Sequence, residues 1–194
     1  MSAMAVTPTI SNWPFERWIY FIKMIKARHC TEEDLTDENV DLIFTLINSV
    51  YDQAEEGMWQ FHGTRASLSD VRTMLSEQSL ILAEKNGEIV GSTKIGRHDD
   101  ICAEFGMLVA DPNLRGSGIG TALVSAAEHW AREGGHKVMR LELLTPRHWS
   151  HPSKEFLKKW YSRLGYIPGE TVAFNKAEHL ATECDFTVWK KQLE

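Results

Sequence analysis

The sequence predicts a mixed α/β (α+β) domain whose sheet is largely antiparallel and flanked by helices. Strand-like segments dominate the first half, a strand–helix–strand unit follows, and a further helix and two strands close the chain. The 194 residues are 43% hydrophobic and 25% charged, which suits one domain with a proper core. We expect residues 1–17, which contain two prolines, to form an arm, and residues 18–194 to form a single domain.

The first half predicts a strand, two helices and three consecutive strands. β-branched and aromatic residues favour a strand over residues 18–28. A short helix over 69–78 is expected to have Ser69 as its N-cap. Three strands then lie between 79 and 112, with turns at Asn86–Gly87 and at 97–100. The first helix is predicted from apolar residues at helical spacing after an acidic start, namely Val40, Ile43, Phe44, Ile47 and Val50.

The second half predicts two further helices and three strands. A helix over 118–133 should end at Gly134–Gly135, because glycine is common just beyond a helix C-terminus. A buried strand over 136–145 and a helix over 153–163 follow. Two late strands, 165–174 and 184–193, are expected to complete the sheet.

Composition excludes several classes of function. The 27 acidic against 21 basic residues make nucleic acid and anionic membranes poor partners. Neither a secretory signal nor an apolar run long enough to span a membrane is present, so we expect a cytoplasmic protein. The three cysteines follow no disulfide or zinc pattern and are expected to be buried thiols. His148 and His151 have helical ligand spacing, but no third ligand accompanies them, so no metal is expected.

The stretch "NLRGSGIGT" (113–121) places three glycines in five positions directly before a helix. Glycine costs about 1 kcal/mol relative to alanine in a helix, so a ligand that approaches the backbone closely would explain the pattern. A strand, a glycine turn and a helix N-terminus together form an anion site, since the first helical amides have no intrahelical acceptor. The order of elements disfavours a dinucleotide fingerprint, which needs GxGxxG early in a βαβ unit.

Two motifs resemble the GNAT N-acetyltransferases. Arg115-x-x-Gly118-x-Gly120, directly after a strand ending in Asp111–Pro112, looks like the acyl-CoA signature of that family. The stretch 156–166 is similar to the family's aromatic-Tyr-x-x-x-Gly-aromatic segment, and the order of elements also agrees over residues 18–192. The tail from residue 151 onward is similar to that of fungal members that acetylate small molecules and amines.

The resemblance implies transfer of an acetyl group from acetyl-CoA to a primary amine, by direct attack in a ternary complex. It implies that the cofactor's pantetheine arm pairs with the edge of a strand, as an added β-strand would. Lys154 stands where many relatives have an asparagine; it is expected either to meet a CoA phosphate or to be solvated. The implied cofactor contacts are Leu108, Val109 and Ala110 for the pantetheine arm, and Arg115, Gly116, Ser117, Gly118, Ile119, Gly120 and Thr121 for the diphosphate.

Glu104 and Tyr161 are the candidate catalytic residues. Alternation along a regular strand would place Glu104 on the same face as Gly106, Leu108 and Ala110, where a carboxylate could deprotonate the amine. Its alternative is a solvated or lysine-paired carboxylate at a strand edge. Tyr161 occupies the tyrosine of the family segment and, with an ordinary pKa near 10, would stay protonated and supply a proton to the leaving thiolate. Its alternative is a tyrosine of the core.

The acceptor pocket is expected near the end of the first helix. Asn48, Tyr51, Glu55 and Trp59 lie where relatives bind the amine, and acids beside aromatic rings suit an ammonium group. The same residues would also suit a packed surface helix. The expected partner is a small-molecule amine, and a homodimer is the expected assembly. A protein or peptide N-acetyltransferase, a non-catalytic CoA-binding module and a nucleotide-dependent oxidoreductase are the alternatives.

Overall fold

The computed structural model describes residues 25–60, 64–174 and 179–193. The expected arm 1–17, and residues 18–24 of the expected first strand, lie outside them. The strands are β1 (Ile25–His29), β2 (Leu80–Lys85), β3 (Glu88–Arg97), β4 (Cys102–Ala110), β5 (Val138–Pro146), β6 (Ile167–Phe174) and β7 (Cys184–Gln192). The helices are α1 (Asp37–Ala54), α2 (Leu68–Ser76), α3 (Ile119–Glu133) and α4 (Pro152–Arg163), with short 3-10 turns at Glu32–Asp34 and Pro112–Leu114.

The seven strands form one sheet in the order β1-β2-β3-β4-β5-β7-β6. Every neighbouring pair is antiparallel except β4 and β5, which are parallel. The mixed, largely antiparallel class predicted from the sequence is confirmed. The tight turn between β2 and β3 is also confirmed, because Asn86 and Gly87 both have positive φ.

Alternate residues of the strands divide the core between the two faces of the sheet. On β2, Ile81 packs with α3 and α4, whereas Leu80 and Leu82 pack with α1 and α2. The helices therefore cover both faces, two on each. All three cysteines are free and buried. Among the described residues, no helix is long and apolar enough to cross a membrane.

The start of α2 corrects one expectation. Ser67, not Ser69, is the N-cap: its side chain accepts from the backbone N–H of Asp70, and the Asp70 carboxylate accepts from the Ser67 backbone. This reciprocal capping box satisfies two amides that would otherwise have no acceptor, so the helix begins one residue earlier than the sequence pattern suggested. The C-terminal end of α3 agrees with expectation. This helix ends at Glu133, directly before Gly134 and Gly135, and Gly135 has φ +80°.

A β-bulge in β4 corrects the expected strand faces. Ser92 pairs with Val109 and Lys94 with Gly106, so Met107 and Leu108 together oppose a single residue of β3. Met107 takes φ +48° to accommodate the extra residue. Phe105, Leu108 and Ala110 consequently pack towards α3, while Val109 packs towards α1. Glu104 precedes the bulge and therefore lies on the face opposite Leu108 and Ala110; the expectation that they share a face is wrong.

The parallel strands β4 and β5 separate after a short contact. They pair only through residues 102–104 of β4 and 138–140 of β5. Beyond that point β4 stays paired with β3 through Ala110, whereas β5 stays paired with β7 through Pro146. A wedge-shaped opening therefore forms in the middle of the sheet, beside the loop that follows β4.

Candidate active site

The glycine-rich loop leads from β4 into α3 without a side-chain cap. Gly116 and Gly118 have φ values of +82° and +90°, which explains why glycine stands at both positions. Gly118 is the N-cap of α3 and makes no side-chain cap hydrogen bond. The first amides of this 15-residue helix therefore have no side-chain acceptor from their cap. A Cβ at either glycine would meet nothing within 4 Å, so the space above the loop is open. This geometry suits an anion.

Gly120 has a different structural role. A Cβ at this position would lie 3.2 Å from the Trp160 ring of α4. A larger residue would have to displace the Trp160 ring by a few tenths of an ångström, so glycine allows the close approach of α3 and α4. Sequence reasoning assigned Gly120 to the cofactor and missed this packing contact.

The end of β4 presents backbone groups to the opening. Asp111 donates its N–H to the Val90 carbonyl of β3, and the Val109 carbonyl also lies beside β3. Because alternate residues direct their backbone groups to opposite edges of a strand, those of Leu108 and Ala110 face the edge that β5 has left. Two of the three predicted pantetheine contacts thus lie at an open strand edge, and Val109 packs beneath them.

A cavity of about 90 Å³ lies where β4 and β5 separate. Its walls come from the C-terminal end of α1, the bulged part of β4, β5 and α4. Tyr161 lies in the wall, 5% exposed and packed against Phe105, Trp160, Tyr166 and Trp189. The residues that line the cavity are Val50, Tyr51, Ala54, Glu55, Arg65, Phe105, Gly106, Met107, Leu108, Leu141, Glu142, Leu143, Leu144, Lys154, Leu157, Tyr161 and Phe186.

Burial raises the pKa of the Tyr161 hydroxyl above its ordinary value. The phenol is consequently neutral at physiological pH and carries a proton that it could donate. The position of Tyr161 is compatible with both alternatives from the sequence, a proton donor and a core tyrosine, because the residue belongs to the core and also lines the cavity.

Glu104 belongs to an ionic cluster at the point where β4 and β5 part. Its side chain is 47% exposed, with Oε2 3.6 Å from His98 Nδ1 and 3.9 Å from Arg140 Nε. Arg140 is buried beneath it and also contacts His98 and Glu142. Glu142 lines the cavity, whereas Glu104 does not. Sequence reasoning missed Arg140 and Glu142; two charges at alternate positions of an otherwise apolar strand were the available signal.

Lys154 and Glu55 form a buried ion pair beside the cavity. Lys154 Nζ lies 2.9 Å from Glu55 Oε1, and the two side chains are 5% and 6% exposed. Trp59 Nε1 donates to the other carboxylate oxygen at 2.7 Å. The expectation of a solvated Lys154 is wrong, because the ammonium group is enclosed and already has an anionic partner. A phosphate contact would require Lys154 to leave that partner.

Asn48 and Tyr51 are occupied by the segment that follows α1. The Asn48 side chain donates to the Phe44 and Ala66 carbonyls and accepts the Arg65 backbone N–H at 2.5 Å. The Arg65 guanidinium lies 4.7 Å from the centroid of the Tyr51 ring. Of the four predicted acceptor residues, Tyr51 and Glu55 line the cavity, while Asn48 and Trp59 support its wall.

The two histidines with helical spacing have structural partners. His148 Nε2 lies 2.6 Å from Glu183 Oε2, and His151 is the N-cap of α4, accepting from the Ser153 backbone. Among the described residues, no group of three or more His, Cys, Asp or Glu side chains is arranged to hold a metal ion.

Comparison with known proteins agrees with this geometry. An uncharacterized N-acetyltransferase from Methanocaldococcus jannaschii is 26% identical over 163 residues, which cover 78% of this chain and 64% of the relative, just under two thirds of its length. The yncA protein of Salmonella typhimurium, solved with its cofactor acetyl-CoA, superposes with a TM-score of 0.62 at 17% identity over 88% of this chain and 95% of its own. A polyamine N-acetyltransferase from Drosophila melanogaster superposes with a TM-score of 0.64 at 15% identity, over 88% of this chain and 100% of its own.

These solved structures share the fold. The model of the acetyltransferase (GNAT) family matches residues 44–166, a span that contains the bulged strand, the glycine loop and Tyr161. The match covers well over half of the chain, and it confirms the family, the acyltransferase class and acetyl-CoA as the family's cofactor. The protein belongs to the acetyltransferase (GNAT) family.

Proposed function

We propose that this chain transfers the acetyl group of acetyl-CoA to a primary amine of a small molecule, by direct attack in a ternary complex. One observation carries the proposal: β4 and β5 separate beside a helix N-terminus without a side-chain cap, and the buried residue Tyr161 lies in the wall of the resulting cavity. This arrangement offers an anion site, an open strand edge and a proton donor in one place.

The residues present fit the proposed cofactor. When bound, acetyl-CoA supplies the acetyl group as a thioester. The backbone from Gly116 to Thr121 would bind its diphosphate, with Ile119 contributing a helix N-terminal amide, Ser117 its side chain, because its N–H already donates to the Leu114 carbonyl, and Arg115 an exposed positive charge. Leu108 and Ala110 would pair with the pantetheine amides at the open strand edge. A backbone amide there would also donate to the oxyanion that develops during attack.

Two residues are proposed to move protons. Glu104 accepts a proton from the substrate ammonium, which leaves the free amine that attacks; because Glu104 lies beside the cavity rather than in its lining, the transfer runs through water. Tyr161 donates its hydroxyl proton to the leaving sulfur; in the same enclosed cavity, desolvation disfavours the thiolate as well and so favours its protonation. The new nitrogen–carbon bond would form first and the carbon–sulfur bond would then break, so that the amine proton goes to Glu104 and the sulfur receives the proton of Tyr161.

The small cavity favours a small-molecule amine over a peptide. A volume of about 90 Å³ at the acceptor end of the opening favours a compact acceptor. The similar Drosophila protein is named for polyamines, which are small molecules that carry primary amines. A protein or peptide acceptor is the second candidate, supported by the likeness to a Brucella melitensis structure named ribosomal-protein-alanine N-acetyltransferase (TM-score 0.64, 19% identity).

Acetyl transfer to a panel of amines, measured by release of free CoA thiol, tests the proposal. We expect turnover with at least one small amine. Glu104→Gln should change the pH dependence of kcat/KM, while Glu142→Gln, which removes the neighbouring carboxylate, should keep the wild-type profile. The reverse result would transfer the base to Glu142. Binding of CoA without acetylation of any amine or peptide would instead favour a CoA-binding module.

The assembly and location are proposals of the same kind. Strand β6 lies at the edge of the sheet and exposes Ile167 and Val172, which supports a homodimer. Three buried free thiols support a reducing compartment such as the cytoplasm.

A further inference from the structure

The acceptor side of the cavity carries an arginine that the proposed chemistry does not use. Arg65 follows α1 and lines the same cavity as Tyr161. Its backbone is held by the Asn48 side chain, and its guanidinium lies over the Tyr51 ring, 4.7 Å from the centroid. Both contacts come from α1, so the helix that forms the cavity wall also positions the cation.

The other charged groups of the lining are paired. Glu55 binds Lys154 within the protein, and Glu142 binds Arg140. Arg65 forms no ion pair within residues 25–60, 64–174 and 179–193. The described lining therefore leaves one cation without an anionic partner.

The places that would bind a simple ammonium group are already taken by the chain's own cations. Lys154 occupies the Glu55 carboxylate, and Arg65 occupies the face of Tyr51. A second ammonium group on the acceptor would meet the positive charge of Arg65 rather than a free carboxylate. An anionic group would meet a fixed guanidinium with several hydrogen-bond donors.

We propose that Arg65 binds a carboxylate of the acceptor, so that the substrate is an amino acid or a similar amino carboxylate rather than a polyamine. The inference rests on the proposed function. A guanidinium pairs with a carboxylate through two parallel hydrogen bonds, and the contact with the Tyr51 ring, 4.7 Å from its centroid, keeps the Arg65 guanidinium at the cavity. With the carboxylate at Arg65, the amine of the same molecule points into the cavity, towards Tyr161.

Amines that differ only by a carboxylate test this inference. The pairs are arginine with agmatine, ornithine with putrescine, and lysine with cadaverine, each assayed for kcat/KM by CoA release. We expect the carboxylated member of the preferred pair to be the better substrate by about tenfold or more, because a charged hydrogen-bonded pair contributes at least that ratio. Arg65→Gln should abolish the preference by raising KM for the carboxylated member, with KM for acetyl-CoA unchanged.

Two further variants separate recognition from structure. Arg65→Lys keeps the charge without the planar fork and should show an intermediate preference. Arg72→Gln removes an exposed arginine that pairs with Asp37 on α1, so it should leave the preference unchanged.

The outcomes are distinguishable from failure of the proposed function. The carboxylate site is overturned, while acetyl transfer stands, if the decarboxylated member of each pair has the higher kcat/KM. It is also overturned if Arg65→Gln keeps the wild-type melting temperature and the wild-type ratio of kcat/KM between the two members. If none of the six compounds nor any other amine is acetylated, the proposed function fails and the inference fails with it.

Discussion

Tyr161 shows how the surroundings of one residue decide its chemistry. The hydroxyl lies in an aromatic cluster with Phe105, Tyr166 and Trp189, and burial raises its pKa. A buried phenol is a poor acid in the resting protein, but a thiolate released in the same cavity is desolvated too, which raises its basicity and favours the transfer of the proton. The proposed role therefore depends on where the sulfur leaves, not on an activated tyrosine.

Tyr161→Phe should lower kcat by about a hundredfold, because it removes the proposed proton donor and leaves the ring packing intact. KM for acetyl-CoA should stay within about twofold, since the hydroxyl acts on the leaving group rather than in ground-state binding. Steady-state kinetics over a range of acetyl-CoA concentrations measures both.

Tyr166→Phe is the matched control from the same cluster. The Tyr166 hydroxyl donates to Glu128 at 3.0 Å, away from the cavity lining. This variant should lose stability but keep kcat. Equal kcat in Tyr161→Phe and the wild type would remove Tyr161 from the chemistry.

At the scale of elements, the glycine loop and the bulge of β4 act together. The loop leaves the first amides of α3 without a side-chain cap, and the bulge turns Leu108 and Ala110 away from the face of Glu104. In the proposed function, the loop would bind the diphosphate, and the bulge would separate the strand edge for the pantetheine arm from the proposed base. The proposal needs both elements, because one bound cofactor would have to reach from the loop along the strand edge.

Gly118→Val should raise the Kd for CoA by about tenfold or more, because the branched side chain fills the open space above the loop and is strained at φ +90°. Calorimetric titration with CoA measures the change.

Gly135→Val is the control, since Gly135 has φ +80°, also faces open space, and lies at the opposite end of α3. It carries a similar backbone strain and should lose stability without losing affinity. An unchanged Kd in Gly118→Val would contradict the diphosphate site.

At the scale of the whole molecule, the outer part of the sheet is held by a charged cluster. Arg28 of β1 donates to both carboxylate oxygens of Asp34 at 2.7 Å and to Glu84 of β2 at 2.8 Å. The Arg28 hydrogen bonds hold the pKa of the Asp34 carboxyl below its ordinary value of 3.8. Asp34 therefore stabilises the fold when ionised, and this stabilisation is lost as the pH falls through its lowered pKa.

Asp34→Asn should lower the free energy of unfolding at pH 7 by about 2 kcal/mol, because it breaks charged hydrogen bonds of a buried carboxylate. The difference from the wild type should shrink as the pH falls below about 4, where the unfolded wild-type carboxyl takes up its proton. Denaturant unfolding at a series of pH values checks both. Asp37→Asn, at an exposed carboxylate, should have a much smaller effect, and an equal loss in both would argue against the Asp34 cluster.

Much of the fold followed from local patterns, and the errors have local causes. Helical spacing predicted α1, α3 and α4 to within a few residues. The start of α2 was misplaced because two serines competed as caps, and only Ser67 forms the reciprocal bond. The faces of β4 were misassigned beyond Met107, since alternation assumes a regular strand and a bulge shifts it by one residue.

The candidate site divides in the same way. The glycine loop and Tyr161 were predictable because each belongs to a contiguous motif. The pairing of Glu55 with Lys154 joins residues 99 positions apart, and the contact of Arg140 with His98 spans 42. Charge partners at such separations depend on the register of distant elements, which no local pattern contains.

The sequence by itself determined the family, the order of helices and strands, and the glycine loop, because local backbone preferences and short motifs encode these. Only the tertiary structure decided where β4 and β5 part, which face Glu104 occupies, and that the chain's own Lys154 and Arg65 fill the expected ammonium sites. Those features arise when residues far apart in the chain pack and pair, and their energies exist only in the folded molecule.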